Sequence, residues 1–172
     1  MQIGITIPLQ KHMHLKSLPY GDPVDLLYCW ETHVIDFRGR KTMVSVNANN
    51  RYLVMLRGMT MMDWMMLPER LEAAIEASLR GDGYTDEQID RYFDLAGATE
   101  LTKTHGRKPV AGLNRAIELL FHCPEPVDDD RMFQKILGAC ANRDIYRPAG
   151  YDRYDQPVKF FYEDMKRVGI FG

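Results

Sequence analysis

The stretch from residue 26 to residue 57 constrains the fold more than any other part of the chain. It holds three runs rich in aromatic and β-branched residues, at 26–37, 42–47 and 52–57, and only a few residues separate each run from the next. Runs of this composition favour β-strands. Strands joined by loops this short are antiparallel neighbours, because a parallel crossover needs about a dozen residues or more. The sequence therefore predicts an antiparallel β-meander.

Helical patterns follow this meander. Apolar residues recur at helical spacing in the segments 68–80, 86–95, 108–122, 130–142 and 157–167. A short alternating run at 2–7, ended by Pro8, predicts a strand before the meander, and residues 98–103 favour another after the second helix. Strands first and helices afterwards, without strict alternation, predict an α+β fold: a single domain with several helices packed on an antiparallel sheet.

Composition places the chain among ordinary globular proteins. It has 172 residues, 45% of them hydrophobic and 27% charged, and a net charge of −2. This balance argues against a disordered chain and gives no overall electrostatic footprint for nucleic acid, although it allows a local basic patch. The apolar stretches are shorter than the roughly 20 residues of a membrane helix, and the first residues lack a signal-peptide pattern. We therefore expect a cytoplasmic protein that makes no membrane contact.

Cysteine and metal-ligand patterns are sparse. Cys29, Cys123 and Cys140 form no C-x-x-C pair, so we expect reduced, mostly buried thiols and neither a disulfide framework nor a zinc site. His12 and His14 occur as H-x-H, but no carboxylate or cysteine lies close to them in sequence. The Asp128–Asp130 run suits the start of a helix, where capping and the helix dipole explain it. We expect no metal and no cofactor.

The most suggestive local pattern is a basic loop at 102–108. It places Lys103, His105, Arg107 and Lys108 before and within the first turn of the third predicted helix, where unpaired backbone N–H groups can hold a phosphate or a carboxylate. The spacing matches neither a P-loop nor a dinucleotide fingerprint. The alternative is a solvated basic loop. A second basic turn at 38–41 either adds phosphate contacts or forms an ordinary charged hairpin tip.

Two further features have both a functional and a structural interpretation. His33 on the first long strand and His105 in the basic loop are possible acid–base groups, although lone histidines are more often bystanders. Methionines cluster around Trp64, and such side chains form either an adaptable contact surface or core filling. The methionines of this cluster are Met59, Met61, Met62, Met65 and Met66.

Four short motifs carry a family resemblance. They are Trp30, R-K-T-M-V-S-V-N at 40–47, N-R-Y-L-V at 50–54 and R-K-P-V-A-G-L-N at 107–114. On these motifs the chain resembles a bacterial family of small domains of unknown function, some of which are associated with plasmid-borne proteins. The resemblance implies no activity.

The same motifs single out polar residues where strand and helix patterns favour apolar ones. Asn47, Arg51, Arg107 and Asn114 are these residues. Asn114 falls one helical turn from Val110 and Ile117, so we expect it beside the buried stripe of the third predicted helix. Buried amide and guanidinium groups need partners, because each one left unpaired costs about 1–3 kcal/mol. We expect either a polar network that ties the third helix to the sheet or a small pocket that holds an anion.

Three functions are compatible with these patterns. The first is a non-enzymatic binding or accessory module that acts through contact with another protein. The second is nucleic-acid, nucleotide or phosphate binding through the 103–108 loop. The third is a small hydrolase or transferase that uses His33 or His105. The candidate anion- or ligand-binding residues are Asn47, Arg51, Lys103, Arg107, Lys108 and Asn114.

Overall fold

A computed structural model describes residues 1–171 and shows one five-stranded sheet with helices against it. The strands are β1 (Gln2–Ile5), β2 (Cys29–Phe37), β3 (Arg40–Asn47), β4 (Leu53–Arg57) and β5 (Glu100–Lys103). The helices are α1 (Ile7–His12), α2 (Met61–Met65), α3 (Leu67–Gly81), α4 (Asp86–Ala96), α5 (Arg107–His122), α6 (Lys135–Ala141) and α7 (Pro157–Arg167). Within these residues, none of the helices combines the length and the apolar character needed to cross a membrane.

The three apolar runs of the middle segment form β2, β3 and β4. They pair antiparallel in chain order, with Thr32 opposite Ser45 and Val44 opposite Met55. The Thr32 and Ser45 hydroxyls also share a hydrogen bond of 2.7 Å between the two strands. Short turns therefore set the register of this half of the sheet.

The other half of the sheet corrects the prediction of a purely antiparallel meander. The strand order is β4-β3-β2-β1-β5, and β1 runs parallel to both of its neighbours. Gly4 of β1 lies opposite Glu31 of β2 and opposite Thr102 of β5. Long stretches of sequence separate β1 from β2 and β1 from β5, and such connections permit parallel pairing. The sheet is mixed.

Strands β3 and β4 carry apolar side chains on both of their faces, and both faces are buried against other parts of the fold. Val44 and Met55 belong to a cluster that α5 and α6 close, whereas Met43 and Val54 belong to a second cluster on the opposite face. Trp30 is fully buried in the second cluster, against Phe161 of α7. Helices therefore lie on both sides of the sheet.

Two short helices lie where the sequence shows little helical periodicity. Thr6 accepts a hydrogen bond from the Leu9 backbone N–H and starts α1, so β1 ends at Ile5 and does not continue to residue 7. Pro8 falls in the first turn of this helix, where its missing N–H costs nothing. Thr60 starts α2 through a reciprocal capping box with Asp63. Both helices border the surface groove described below.

The predicted helix at 130–142 is wrong in its first part. Helix α6 begins only at Lys135, because the residues before it extend along β4. The Arg57 backbone N–H donates to the Met132 carbonyl at 2.8 Å, and Phe133 forms a bridge with Leu56. This segment covers an edge of the sheet that would otherwise expose unpaired backbone groups. The Asp128–Asp130 run lies in the preceding turn and caps no helix.

Candidate functional site

The largest concave feature with apolar walls lies between α1, α2 and the β3–β4 side of the sheet. It encloses about 640 Å³. We call it the methionine groove, and it is lined by His12, Met13, His14, Leu15, Lys41, Met59, Met61, Trp64, Met65, Pro68 and Leu101. A concave apolar surface with a few polar groups is the usual form of a binding site.

Local structure fixes the wall that α2 contributes. Asp63 accepts hydrogen bonds from the backbone N–H and the hydroxyl of Thr60, both at 2.8 Å, and pairs with Arg70 at 2.9 Å. These bonds, those from Thr60 foremost, lower the pKa of the Asp63 carboxyl. The anchored helix buries Trp64 and leaves Met61 and Met65 80% and 74% exposed. The groove thus has a fixed aromatic side chain and flexible methionines at its mouth.

The polar residues of the groove are basic. His12 packs edge-on against Trp64, with 5.0 Å between the ring centroids. Burial lowers the pKa of His12, and the positive charges of Lys41 and His14 lower it further. Lys41 pairs with Asp36 at 2.9 Å and keeps about half of its side chain in solvent. The groove can therefore take apolar groups that carry acidic neighbours.

A second cluster of polar groups is buried where β1, β2 and the loop before α5 meet. Glu31 is completely buried, and its Oε1 accepts hydrogen bonds from the backbone N–H of His105 at 2.9 Å and from the Nδ1 of the same residue. On the other side of the ring, Nε2 of His105 lies 2.9 Å from Oε1 of Gln2. The Gln2 amide is oriented because its Nε2 donates to the Asp22 carbonyl at 2.7 Å.

This arrangement gives each ring nitrogen of His105 an oxygen that accepts. Both ring nitrogens are therefore engaged within the protein, whereas Oε2 of Glu31 is buried without a hydrogen-bond partner among residues 1–171. The cluster lies beside a cleft of about 370 Å³ that Gln2, Cys29 and His105 help to line. Burial raises the pKa of the Cys29 thiol to about 12, so this thiol is neutral and a poor nucleophile near neutral pH. The cluster ties the loop to the sheet through buried hydrogen bonds.

Two of the sequence-predicted site residues, Asn47 and Arg51, are buried. Asn47 donates to the Leu27 carbonyl at 2.7 Å and accepts from the backbone of the following turn. Arg51 is 2% exposed, donates to Asp144 at 3.1 Å and packs against the Tyr146 ring at 4.3 Å. Burial lowers the pKa of the Arg51 guanidinium. Both side chains hold the β3–β4 turn in place.

The other four predicted residues, Lys103, Arg107, Lys108 and Asn114, are exposed. The expectation that Asn114 lies beside the buried stripe of the third predicted helix is wrong. The buried face of α5 is centred on Gly112, Leu113 and Ala116, which turns Asn114 toward solvent. Lys103 packs against the Tyr20 ring at 4.5 Å. The six residues therefore divide into a buried pair and an exposed group.

The two basic turns lie at opposite ends of α5. Lys108 is in its first turn, whereas Arg38 donates to the Cys123 carbonyl just beyond its last residue, at 2.8 Å. A helix of 16 residues spans about 24 Å. Arg38 also donates to the Glu125 carbonyl at 2.6 Å, and Lys41 pairs with Asp36. The 38–41 turn is thus engaged within the protein and does not adjoin the 103–108 loop.

The remaining histidines show no ligand arrangement. His33 is half-buried, and its Nδ1 lies 2.6 Å from the Thr6 hydroxyl, while burial lowers its pKa. Across residues 1–171, no group of three or more His, Cys, Asp or Glu side chains is placed to hold a metal ion. His12 and His14 instead line the methionine groove.

Sequence reasoning missed Glu31 and Gln2, which complete the cluster around His105. A carboxylate inside an apolar strand was the available signal for Glu31, because such a group needs a buried partner. No local pattern connects Gln2 with His105, since β1 and β5 meet only through the parallel half of the sheet.

One comparison places the chain in a family. The profile described as Domain of unknown function (DUF6933) matches residues 2–160. The chain belongs to this family. The DUF6933 match covers all five strands, the methionine groove and the polar cluster around His105, and it carries no activity. No curated protein and no solved structure matches the chain, so neither search adds a fold or a function.

Proposed function

We propose that this DUF6933 domain is a non-enzymatic binding module that acts through protein–protein contact. The methionine groove is its contact surface, and the occupant is a helical segment of a partner protein with acidic residues beside its apolar face. The single observation that carries the proposal is the continuation of apolar surface outward from the groove, through exposed methionines of α2.

The exposed methionines favour a protein partner over a small molecule. Small-molecule sites usually enclose most of the ligand, whereas Met61 and Met65 line the groove and still reach into solvent. Met62, 62% exposed, extends the apolar surface further along the same short helix. Exposed apolar patches of this kind mark interaction sites, and flexible methionines adapt to apolar side chains of different shapes.

Charge indicates the chemistry of the occupant. His12, His14 and Lys41 lie around the groove, and Asp36 is the acidic group paired with Lys41. Lys41 supplies the cation here, since burial lowers the pKa of His12 and leaves that ring neutral near pH 7. An acidic residue of the partner can replace the exposed Asp36 beside Lys41, whereas a basic residue cannot. Helix-in-groove recognition supplies apolar anchors at helical spacing, which leaves the flanking positions free for carboxylates.

Calorimetry with two designed peptides tests the proposal. Both peptides carry the same leucine stripe at helical spacing, and one has glutamate while the other has lysine at the flanking positions. We expect the acidic peptide to bind at least tenfold more tightly. Replacing Met61 and Met65 together by serine should abolish binding. The matched control is Ile145→Ser, which alters an equally exposed apolar residue outside the groove.

Three outcomes would contradict the proposal. Equal binding of the two peptides would remove the charge argument. Binding that survives the double serine replacement would remove the groove. Binding of decanoate without binding of either peptide would make the groove a small-molecule site.

The exposed first turn of α5 favours a second candidate function, the binding of nucleic acid or of a nucleotide phosphate. Arg107 and Lys108 are exposed beside free backbone N–H groups at the start of a long helix. Replacing Lys108 by alanine should lower the salt slope of binding by about one unit if this lysine touches a phosphate. Unchanged mobility of DNA and RNA fragments at low salt would exclude this candidate.

An acid–base reaction at His33 or His105 has less support. His105 is engaged at both ring nitrogens, and Nδ1 of His33 faces Thr6. His105 would have to give up an existing hydrogen bond before it could exchange a proton with a substrate, and His33 could do so only through Nε2.

A further inference from the structure

Two cysteines from neighbouring helices on one face of the sheet meet at one point. Cys123 follows the last residue of α5, and Cys140 lies in α6. Their sulfur atoms are 2.9 Å apart. A disulfide has a sulfur–sulfur distance of about 2.05 Å, so the two atoms must approach by less than 1 Å to bond.

The surroundings of Cys123 keep its main chain in place. Its carbonyl accepts a hydrogen bond from Arg38 at 2.8 Å, and its backbone N–H donates to the Leu120 carbonyl at 3.3 Å. Both contacts involve the backbone and leave the sulfur free to turn toward Cys140. The two sulfur atoms therefore lie within about 1 Å of bonding distance while the main chain at Cys123 is held by its own hydrogen bonds.

Access to the two thiols differs. Cys123 is buried, whereas Cys140 is partly exposed and is the sulfur that an external reagent meets first. The third thiol, Cys29, is buried at the start of β2, beside Gln2 and the Asp25 carbonyl, whereas Cys123 contacts Arg38 just beyond the other end of that strand. Cys140 can thus react with a reagent in solvent, and Cys123 can complete the disulfide bond.

We propose that Cys123 and Cys140 form a redox modification site, at which a low-molecular-weight disulfide converts the two thiols into a reversible intramolecular disulfide. The site is independent of the methionine groove. It differs from the expectation that all three cysteines stay reduced.

The reaction balances as two successive thiol–disulfide exchanges. The Cys140 thiolate attacks one sulfur of the reagent, a mixed disulfide forms, and the first small thiolate leaves with the electron pair of the reagent's sulfur–sulfur bond. The Cys123 thiolate then attacks the Cys140 sulfur and expels the second small thiolate. The two protons of the protein thiols pass to the two leaving thiolates. The protein pair is oxidised by two electrons, and the reagent is reduced to two thiols.

Reaction rate should depend on pH. Burial, together with the neighbouring Cys123 thiol, raises the pKa of Cys140 to about 11. Since the thiolate is the attacking species, we expect faster oxidation as the pH rises from 7 toward 9.

The bond would join two segments that are 17 residues apart in the chain. A cross-link across a loop of this length restricts the unfolded chain and stabilises the folded one. We expect the oxidised protein to melt roughly 5–10 °C above the reduced protein.

Oxidised glutathione is the probe for this proposal, because peroxide would also oxidise the exposed methionines. The folded protein is incubated with oxidised glutathione, the reaction is stopped with acid, and the mass of the intact protein is measured by mass spectrometry. We expect a mass lower by two hydrogen atoms, a Cys123–Cys140 cross-linked peptide after digestion, and full reversal by dithiothreitol. Cys29→Ser, the matched control, should behave like the wild type.

Two variants separate the steps. Cys123→Ser should keep glutathione on Cys140, because the completing thiol is gone. Cys140→Ser should not react while folded, since its remaining thiols are buried. Three outcomes would overturn the proposal. The first two are glutathione that stays on Cys140 of the wild type and a cross-link that includes Cys29. The third is a folded protein that keeps all three thiols free and reacts with the reagent only after it is unfolded.

Discussion

Gly4 and Glu31 lie opposite each other on neighbouring parallel strands, and a Cβ atom at Gly4 would lie 3.0 Å from both carboxylate oxygens of Glu31. The same Cβ would also lie 3.0 Å from Nδ1 of His105. The carboxylate has little freedom to move away, because the backbone and the ring of His105 both hold its Oε1. The missing side chain of Gly4 thus provides the space in which Glu31 and His105 meet.

Replacing Gly4 by alanine should lower the free energy of unfolding by about 1–3 kcal/mol, because the new methyl group overpacks a fixed pair. Urea denaturation measures the change. Gly81→Ala is the matched control: its Cβ would make an ordinary 3.5 Å contact with Lys135 at the end of a helix. That control should change stability by no more than about 1 kcal/mol. Equal effects of the two replacements would refute the packing argument.

Replacing Glu31 by glutamine should cost about 3 kcal/mol, because His105 then loses its charged partner in a buried site. The stability lost on replacing Glu31 should depend on whether His105 is present. In a double-mutant cycle with His105→Gln, the combined cost should fall at least 1 kcal/mol below the sum of the single costs. Strictly additive costs would show that the two side chains do not stabilise the fold as a pair.

Acid should destabilise the protein partly through His33. Burial lowers the folded-state pKa of this ring below its unfolded value of 6.5, so the unfolded chain binds the proton more readily. The stability that the neutral ring contributes is complete above pH 6.5 and is lost as the pH falls from there toward the lower folded-state pKa. Thermal melting between pH 7.5 and pH 5 should therefore show a smaller loss in His33→Gln than in the wild type. Parallel curves for the two proteins would contradict this assignment.

Tyr146 should stabilise the fold through the face of its ring. The Arg51 guanidinium lies 4.3 Å from the ring centroid, and two of its nitrogens, Nε and Nη1, have no hydrogen-bond partner among residues 1–171. Tyr146→Leu should lower the free energy of unfolding by about 1–2 kcal/mol, since it removes the aromatic face from a buried cation. Tyr146→Phe keeps the aromatic face and should change the free energy of unfolding by less than about 0.5 kcal/mol. A similar loss in both variants would point to the hydroxyl instead.

The part of the fold that sequence predicted is the part held by local contacts. Short turns and β-rich composition specify the β2–β4 meander, and a strong apolar stripe accompanies α3 and α5. The parallel pairing of β1 carries no local signal, since its partners lie far along the chain. The segment at 132–134 has a helical pattern but pairs with β4, because an open sheet edge favours backbone partners over another helical turn.

The candidate sites were predictable to a similar extent. The methionine cluster around Trp64 was visible in the sequence, because its members are close neighbours in the chain. Its exposure was not, since it depends on how the five-residue helix α2 is anchored by Asp63. His105 was visible as a titratable residue, but its partners Glu31 and Gln2 come from strands that only the tertiary fold brings together.

NMR of the protein labelled with ¹³C at its methionine methyl groups tests the central claim most directly, because it reports where an occupant lies. The acidic amphipathic peptide is added, and the methyl resonances are assigned by single replacements. The account predicts shifts for Met13, Met59, Met61 and Met65, which line the groove, and none for Met43 and Met55, which are buried in the two cores. Shifts confined to other methionines, or no shift at saturating peptide, would contradict a protein-binding role for the groove.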